Sequence, residues 1–99
     1  MSFSDQTLDR MLHAVADPTR RRILSALKEK DACSLGKETG LCACDIEQRI
    51  HLTQPTVSHH MAILKQAGLV KASKQGQWMW YRRNEAAFRD LARSLRDTL

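Results

Sequence analysis

The sequence predicts a mainly α-helical domain with one small β-hairpin, in the order α-α-α-α-β-β-α. Three observations predict this fold class. Apolar residues recur at helical spacing in several segments, two of these segments are separated by a turn of three or four residues, and two alternating segments flank Gln75 and Gly76. A chain of 99 residues has the size of one ordinary domain, so we expect a single unit over residues 1–99.

The first two helices follow from an apolar stripe and a capping signal. A first helix over about 5–16 has one apolar stripe, formed by Leu8, Met11, Leu12 and Val15. Asp17 is placed to cap a second helix with Pro18 in its first turn, and that helix extends to about residue 29. The polar stretch 30–40 contains two glycines and is expected to be a loop.

A helix-turn-helix is expected in the middle of the chain. A short helix covers about 45–49. Thr53 is placed to cap a longer helix with Pro55 in its first turn, and Gly68 gives that helix a left-handed end. Two helices joined by so short a turn, the second strongly amphipathic, form this motif.

A β-hairpin and a last helix complete the chain. The strands 69–74 and 77–83 pair as a hairpin, or wing, with a basic rim. Asn84 then caps a helix over about 84–99 whose apolar stripe includes Phe88, Leu91 and Leu95. The predicted architecture is therefore a winged helix-turn-helix.

The net charge indicates a polyanionic partner. Sixteen Lys and Arg against eleven Asp and Glu give a formal charge of +5, which fits nucleic acid. No apolar run approaches the roughly 20 residues that span a membrane, and polar residues follow Met1 directly. We therefore expect a cytoplasmic protein with no membrane partner.

The longer helix of the motif has one face suited to reading DNA. Val57, Met61 and Leu64 share its inward face, and the outward face is short, polar and almost free of acidic groups. Because such a helix presents its N-terminal residues to base edges in the major groove, the candidates are Gln54, Thr56, Ser58 and His59. His60 falls on the core side and is expected to be structural.

The wing supplies the second part of the predicted DNA interface. Lys74 and Gln75 are expected at its tip, where they would contact phosphate or the minor groove of double-stranded DNA. Trp78 and Trp80 alternate along the second strand and are expected to pack against the helices. A platform for stacking the bases of single strands is thereby disfavoured.

Cysteine chemistry is expected at the start of the helix-turn-helix. Cys42 and Cys44 precede its first helix, and Cys33 lies in the predicted loop. Thiolates select soft ions, and Lys37 with the helix N-terminus is expected to favour the thiolate form. On a helix, positions i and i+2 diverge, so the pair can share an ion only if their segment is extended or partly unwound. Buried cysteines that fill core gaps, or a dithiol redox switch, remain alternatives.

Taken together, the motifs resemble the ArsR/SmtB family of metal-responsive repressors. They are Asp17-Pro18-Thr19-Arg20-Arg21-Arg22-Ile23-Leu24, Leu41-Cys42-Ala43-Cys44-Asp45, Thr53-Gln54-Pro55-Thr56-Val57-Ser58-His59-His60-Met61, and Gly68-Leu69-Val70 with Gln75-Gly76-Gln77-Trp78 and Tyr81. The resemblance implies a homodimer that binds an imperfect inverted repeat of operator DNA without a cofactor and releases it when an inducer arrives. The predicted helices at about 5–16 and 84–99 would form the dimer interface, because their apolar stripes exceed one small core.

Two departures from the family pattern bear on the inducer. Glu47 stands where the arsenic branch often has a third cysteine, and residues 84–99 contain no histidine for the zinc site of the last helix. As(III) or Sb(III) fits three sulfurs best, so the predicted metal site is Cys33, Cys42 and Cys44. With two sulfurs, Cd(II), Pb(II) or thiol oxidation competes.

Other classes of function are weaker. A cysteine enzyme lacks support, because the chain has no Gly-rich phosphate loop and no βαβ pattern. A DNA-binding module that has no metal inducer, or that answers to a protein partner, remains an alternative.

Overall fold

A computed structural model describes residues 4–28 and 40–99 of the chain. These residues form helices and strands in the order α1 (Asp5–Val15), α2 (Pro18–Lys28), β1 (Leu41–Cys42), α3 (Ala43–Ile50), α4 (Gln54–Gln66), β2 (Val70–Gln75), β3 (Trp78–Arg83) and α5 (Glu85–Thr98). The predicted helices and the wing are confirmed, and three residues, 51–53, separate the two helices of the helix-turn-helix.

The helix boundaries follow from capping residues. The backbone N–H of Arg20 donates to Oδ2 of Asp17 at 2.9 Å, which confirms the predicted cap of α2. Helix α3 begins at Ala43, earlier than predicted, and ends where His51 adopts the left-handed region at φ 61°. Gly68 has a φ of +78° after α4, as the left-handed end required.

Two caps differ from the prediction in their hydrogen bonds. Thr53 occupies the N-cap of α4, but its hydroxyl lies 3.0 Å from the hydroxyl of Thr56 and caps no backbone N–H. Asn84 occupies the N-cap of α5, and its side-chain amide donates to the carbonyl of Gly68 at 3.0 Å. Asn84 therefore ties the start of α5 to the end of α4.

Strand β1 is absent from the sequence prediction. It pairs antiparallel with β3, so that the sheet has the order β1-β3-β2. Its two residues are too few to show an alternating pattern. Gly40, directly before it, has a φ of +85°, and a Cβ there would overlap the carbonyl oxygen of Tyr81. Glycine thus permits the close approach of this segment to β3.

The core lies between the helices and the inner face of the sheet. Its largest fully buried side chains are Ile23, Leu41, Ile46, Val57, Met61, Leu64 and Leu69. The inward face predicted for α4 is confirmed by the burial of Val57, Met61 and Leu64. In the described residues, no helix is long and apolar enough to cross a membrane.

The apolar stripes of α1 and α5 are largely used within one chain. Met11 is 3% exposed and Leu91 is 6% exposed, so these two side chains belong to the core of the protomer, and a dimer interface on α1 and α5 stays a prediction. Leu12, 36% exposed, and Leu99, 97% exposed, keep apolar surface in solvent. Leu8 and Val15 of α1 and Phe88 and Leu95 of α5 are half-buried and also keep part of their apolar surface in solvent.

Candidate DNA interface and cysteine site

Helix α4 presents the predicted reading face to solvent. Gln54, Ser58 and His59 are exposed, whereas Thr56 is half-buried with its hydroxyl held by Thr53. Lys65 lies seven residues after Ser58, and the two therefore share one stripe of the helix. Lys65 is also exposed. Its spacing of two helical turns from Ser58 could have identified it from the sequence as a further residue of this face.

The two predicted wing residues lie on different faces of the hairpin. Lys74 pairs with Met79, and Gln75 pairs with Trp78. Successive residues of a strand point to opposite faces, so both side chains are exposed but face different directions. The pairing also places Lys71 opposite Arg82 on the same face as Gln75.

A basic groove of about 650 Å³ lies between the last turn of α4 and strand β2. Its polar lining consists of Lys65, Lys71, Ser73, Gln75 and Arg82. Since Lys65 belongs to the same stripe as Ser58, the groove continues the reading face of α4 toward the wing. Cationic side chains in such a concave surface suit a phosphate backbone.

The two tryptophans of β3 have different environments. Trp80 is 6% exposed and borders the basic groove, which agrees with the predicted packing role. Trp78 is 51% exposed, so the prediction that it packs against the helices is wrong. It lies opposite Gln75, near the tip of the hairpin.

His60 is half-buried and contacts the helix before the motif, as expected for a structural histidine. Its Nδ1 lies 3.2 Å from Nη1 of Arg20. Burial lowers the pKa of His60 from its ordinary value of 6.5, and the guanidinium of Arg20 acts in the same direction while Asp17 opposes it. The buried Arg20 is a residue that the sequence analysis did not single out.

The cysteine pair sits where β1 meets α3. Cys42 is the N-cap of α3 in an extended conformation, and Cys44 lies in the first turn. This break in the helix brings the two Sγ atoms to 2.7 Å, as the i, i+2 spacing required. The thiol of Cys42 also donates to Oδ2 of Asp45 at 3.2 Å.

The protonation of Cys42 differs from the expectation. Its pKa is raised to about 11, first by burial and then by the hydrogen bond with Cys44, and the negative charge of Asp45 acts in the same direction. The predicted thiolate is therefore wrong for Cys42, which is a neutral thiol at neutral pH. Lys37, the predicted source of positive charge, lies outside the described residues.

Three donor groups converge at this junction. Sγ of Cys42, Sγ of Cys44 and a carboxylate oxygen of Asp45 lie within 4.8 Å of one another. Sequence analysis did not consider Asp45 as a ligand, although its spacing of three from Cys42 was visible. Cys33, the third predicted ligand, lies outside the described residues.

The cysteine site and the wing are adjacent across the sheet. Cys42 pairs with Trp80 in the β1-β3 ladder, and Trp80 pairs with Ser73 in the β3-β2 ladder. Residues paired in this way have side chains on the same face of the sheet. One row of three residues thus connects the cysteine pair to the basic groove.

The family assignment rests on both sequence and structure. The sequence pattern of the arsR family of bacterial regulatory proteins matches residues 17–72. The chain belongs to the ArsR family. It is 36% identical over 95 residues to the arsenical resistance operon repressor of Staphylococcus aureus, covering 96% of this chain and 81% of that one. It is also 34% identical over 83 residues to the transcriptional repressor SdpR of Bacillus subtilis, covering 84% and 82%.

A solved structure supports the same assignment. The ArsR-like transcriptional regulator from Rhodococcus sp. RHA1 superposes with a TM-score of 0.75 at 26% identity, covering 94% of this chain and 79% of that one. The ArsR-family protein is thus a winged helix-turn-helix transcriptional repressor. Like its relatives, it is a transcriptional regulator and not an enzyme.

Proposed function

We propose that this ArsR-family protein binds operator DNA as a homodimer and releases it when As(III) or Sb(III) binds the thiols of Cys42 and Cys44. The observation that carries the proposal is the 2.7 Å separation of the two sulfurs at the start of α3, the first helix of the DNA-binding motif. A relative named as an arsenical resistance operon repressor supports the same inducer class.

For DNA binding, α4 enters the major groove and the wing follows the backbone. Gln54, Thr56, Ser58 and His59 face base edges, and Lys74 and Gln75 contact the DNA from the tip of the wing. In this arrangement the basic groove with Lys65, Lys71 and Arg82 receives a phosphate backbone.

A homodimer places two such helices on an imperfect inverted repeat. A second copy would cover apolar surface on both helices: the exposed Leu12 of α1, the half-buried Phe88 and Leu95 of α5, and the exposed Leu99 that follows α5. We also infer that the protein acts in the cytoplasm without a cofactor for DNA binding, since reducing conditions keep its thiols free.

The protonated state of Cys42 suits an oxyacid inducer. As(OH)₃ condenses with two thiols to give As(SR)₂(OH) and two molecules of water: each S–H proton leaves on a departing hydroxide, and no electron is transferred. Because water leaves instead of a free proton, the raised pKa of Cys42 is no obstacle. A third thiol, the proposed role of Cys33, would replace the last hydroxide in the same way.

Ligation must then move the cysteine pair. Two sulfurs that share one ion at bonds of about 2.3 Å and an angle of about 90° or more, as in a pyramidal As(III) site, would lie at least about 3.2 Å apart. The sulfurs start at 2.7 Å, so they separate when an ion binds. Cys42 belongs to β1 as well as to the N-cap of α3, and the displacement therefore reaches both the helix-turn-helix and the wing.

A divalent inducer is the second candidate. Asp45 adds a carboxylate oxygen to the two sulfurs, a donor set that suits Cd(II) or Pb(II) better than a trivalent arsenic ion. The close sulfurs also make oxidation to a disulfide a competing signal.

One titration tests the proposal. A fluorescent duplex selected by the protein from a random library is held as the complex, and arsenite, antimonite, cadmium, lead or peroxide is added while anisotropy reports release. Release by arsenite or antimonite at the lowest concentration supports the proposal. Release by cadmium or lead alone favours the divalent candidate, peroxide alone favours oxidation, and no release by any of them contradicts sensing.

A further inference from the structure

Arg20 is a buried arginine in the first turn of α2 and only 6% exposed. Its Nε donates to the carbonyl of Ala14 at 2.8 Å, and Nη2 donates to the carbonyl of His13 at 3.2 Å. Both carbonyls belong to the last turn of α1. The guanidinium therefore closes the C-terminal end of α1, where a positive charge is favourable.

The remaining contact of this guanidinium crosses to the DNA-reading helix. Nη1 lies 3.2 Å from Nδ1 of His60 in α4. A guanidinium can only donate, so Nδ1 must accept, and His60 is neutral with its proton on Nε2. The ring of His60 in turn lies 5.6 Å, centroid to centroid, from the ring of His59, a proposed DNA contact.

We propose that Arg20 and His60 are positioning residues that fix the orientation of α4 against the end of α1, and with it the reading face that meets operator DNA. This inference rests on the proposed DNA binding by α4 and is independent of the cysteine site. Because α1 is also part of the proposed dimer interface, the pair sets how each reading helix is held relative to the other.

Protonation of His60 would oppose this contact. A proton on Nδ1 would face the donors of Arg20, so the hydrogen bond would be lost and two positive charges would meet. The charged and titratable groups that act on His60 are Asp17 before α2, Arg20 in α2 and His59 in α4. Since its folded-state pKa is lowered, the neutral contact is present above pH 6.5 and is lost as the pH falls through the folded pKa.

Two substitutions at one position separate positioning from packing. His60→Asn keeps an acceptor, Oδ1, near the place of Nδ1, and His60→Leu keeps bulk but no acceptor. On a duplex selected by the parent protein from a random library, His60→Leu should raise the dissociation constant about tenfold, and His60→Asn by less than about threefold. Binding to random duplex should change little in either variant, because phosphate contacts do not depend on the exact orientation of α4.

A pH series measures a ratio of DNA affinities that would not change with pH if His60 only packed against its neighbours. Between about pH 7.5 and about pH 5.5, the parent should lose selected-duplex affinity relative to His60→Asn. All other side chains are identical in the two proteins, so this ratio isolates His60. Should His60→Leu fail to fold by circular dichroism, the pH ratio decides alone.

Three results would overturn the inference: selected-duplex binding by folded His60→Leu that equals the parent's, equal losses in both variants, or a ratio that does not change with pH. Failure of the proposed function has a different signature, because the parent would then select no preferred duplex at all.

Discussion

The proposed DNA-reading face of α4 and the cysteine site at the start of α3 are built in opposite ways. The reading face consists of exposed side chains at helical spacing on one element, with Gln54, Ser58 and His59 in solvent. The cysteine site is formed where a strand, a helix and the wing meet, and its first thiol is 6% exposed. Local periodicity therefore determines the first region, whereas tertiary contacts determine the chemistry of the second.

The largest expected effect is the loss of arsenite-induced release when the cysteine site is changed, with DNA binding by the reading face retained. Cys42→Ser and Cys44→Ser should each abolish release by arsenite, since serine keeps the shape but removes the soft donor. Operator affinity should stay within about twofold of the parent, because neither side chain lies on the reading face. Anisotropy of a labelled operator complex, titrated with arsenite, measures both quantities. A normal response by both variants would end the sensing hypothesis.

Cys33→Ser tests whether the proposed site has a third sulfur. Loss of one of three thiolates should cut arsenite sensitivity strongly, because water or glutathione must then fill the coordination position. The same titration measures it, with Cys44→Ser as the reference for complete loss. A response equal to the parent's would make the site a two-cysteine one and remove the main support for arsenite over a divalent ion.

The junction between β1 and β3 should be sensitive to one methyl group. Gly40→Ala places a Cβ against the carbonyl of Tyr81 at a φ of +85°, so the free energy of unfolding should fall by about 3 kcal/mol. Gly76→Ala in the wing turn has a φ of +63° but open space, and it should lose only about 1–2 kcal/mol. Urea denaturation compares the two. Equal losses would mean that the close approach at β1 contributes no stability of its own.

The pH dependence of ion binding should distinguish the two inducer classes. The pKa of Cys42 is raised to about 11, so a divalent ion must displace its proton, and cadmium affinity should rise about tenfold per pH unit for each proton released below that pKa. Condensation of arsenite releases water, and its affinity should change little between about pH 6 and about pH 8. Competition titrations at several pH values measure both. A flat cadmium profile would show that Cys42 is already a thiolate.

The smallest effect concerns the basic groove beside α4. Lys71→Ala should lower the slope of log affinity against log salt by about 0.9 per chain, and Lys74→Ala should act similarly from the tip. Lys28→Ala, which removes the same charge from the exposed last turn of α2, is the matched control. All sequences should weaken alike, in contrast to Gln54→Ala or His59→Ala, which should reduce discrimination. An unchanged slope for Lys71→Ala would exclude this groove as a phosphate site.

The sequence predicts what repeats along one element and misses what depends on a distant neighbour. The inward face of α4 and the caps at Asp17 and Gly68 are local patterns, and all were correctly predicted. Strand β1 was missed because two residues carry no periodicity and pair with a strand nearly forty positions later. The burial of Arg20 was invisible for the same reason, since its acceptors lie on α1 and α4.

The cysteine site shows the same limit in its chemistry. Spacing alone predicted that Cys42 and Cys44 can share an ion only if their segment is extended or partly unwound; Cys42 is extended, whereas Cys44 lies in the first turn of α3. The protonation of Cys42 depends on burial and on the carboxylate of Asp45, neither of which follows from the positions of the cysteines. The expected thiolate was therefore wrong, although the two sulfurs do lie close together.

The most direct test of the coupling between the two regions records both in one sample. During an arsenite titration of the operator complex, ultraviolet absorbance reports sulfur ligation and anisotropy of the labelled duplex reports release. We expect both signals to change together and to saturate at one ion per chain, and Cys42→Ser to show neither change. Release without a sulfur signal, or complete sulfur ligation with the DNA still bound, would contradict it.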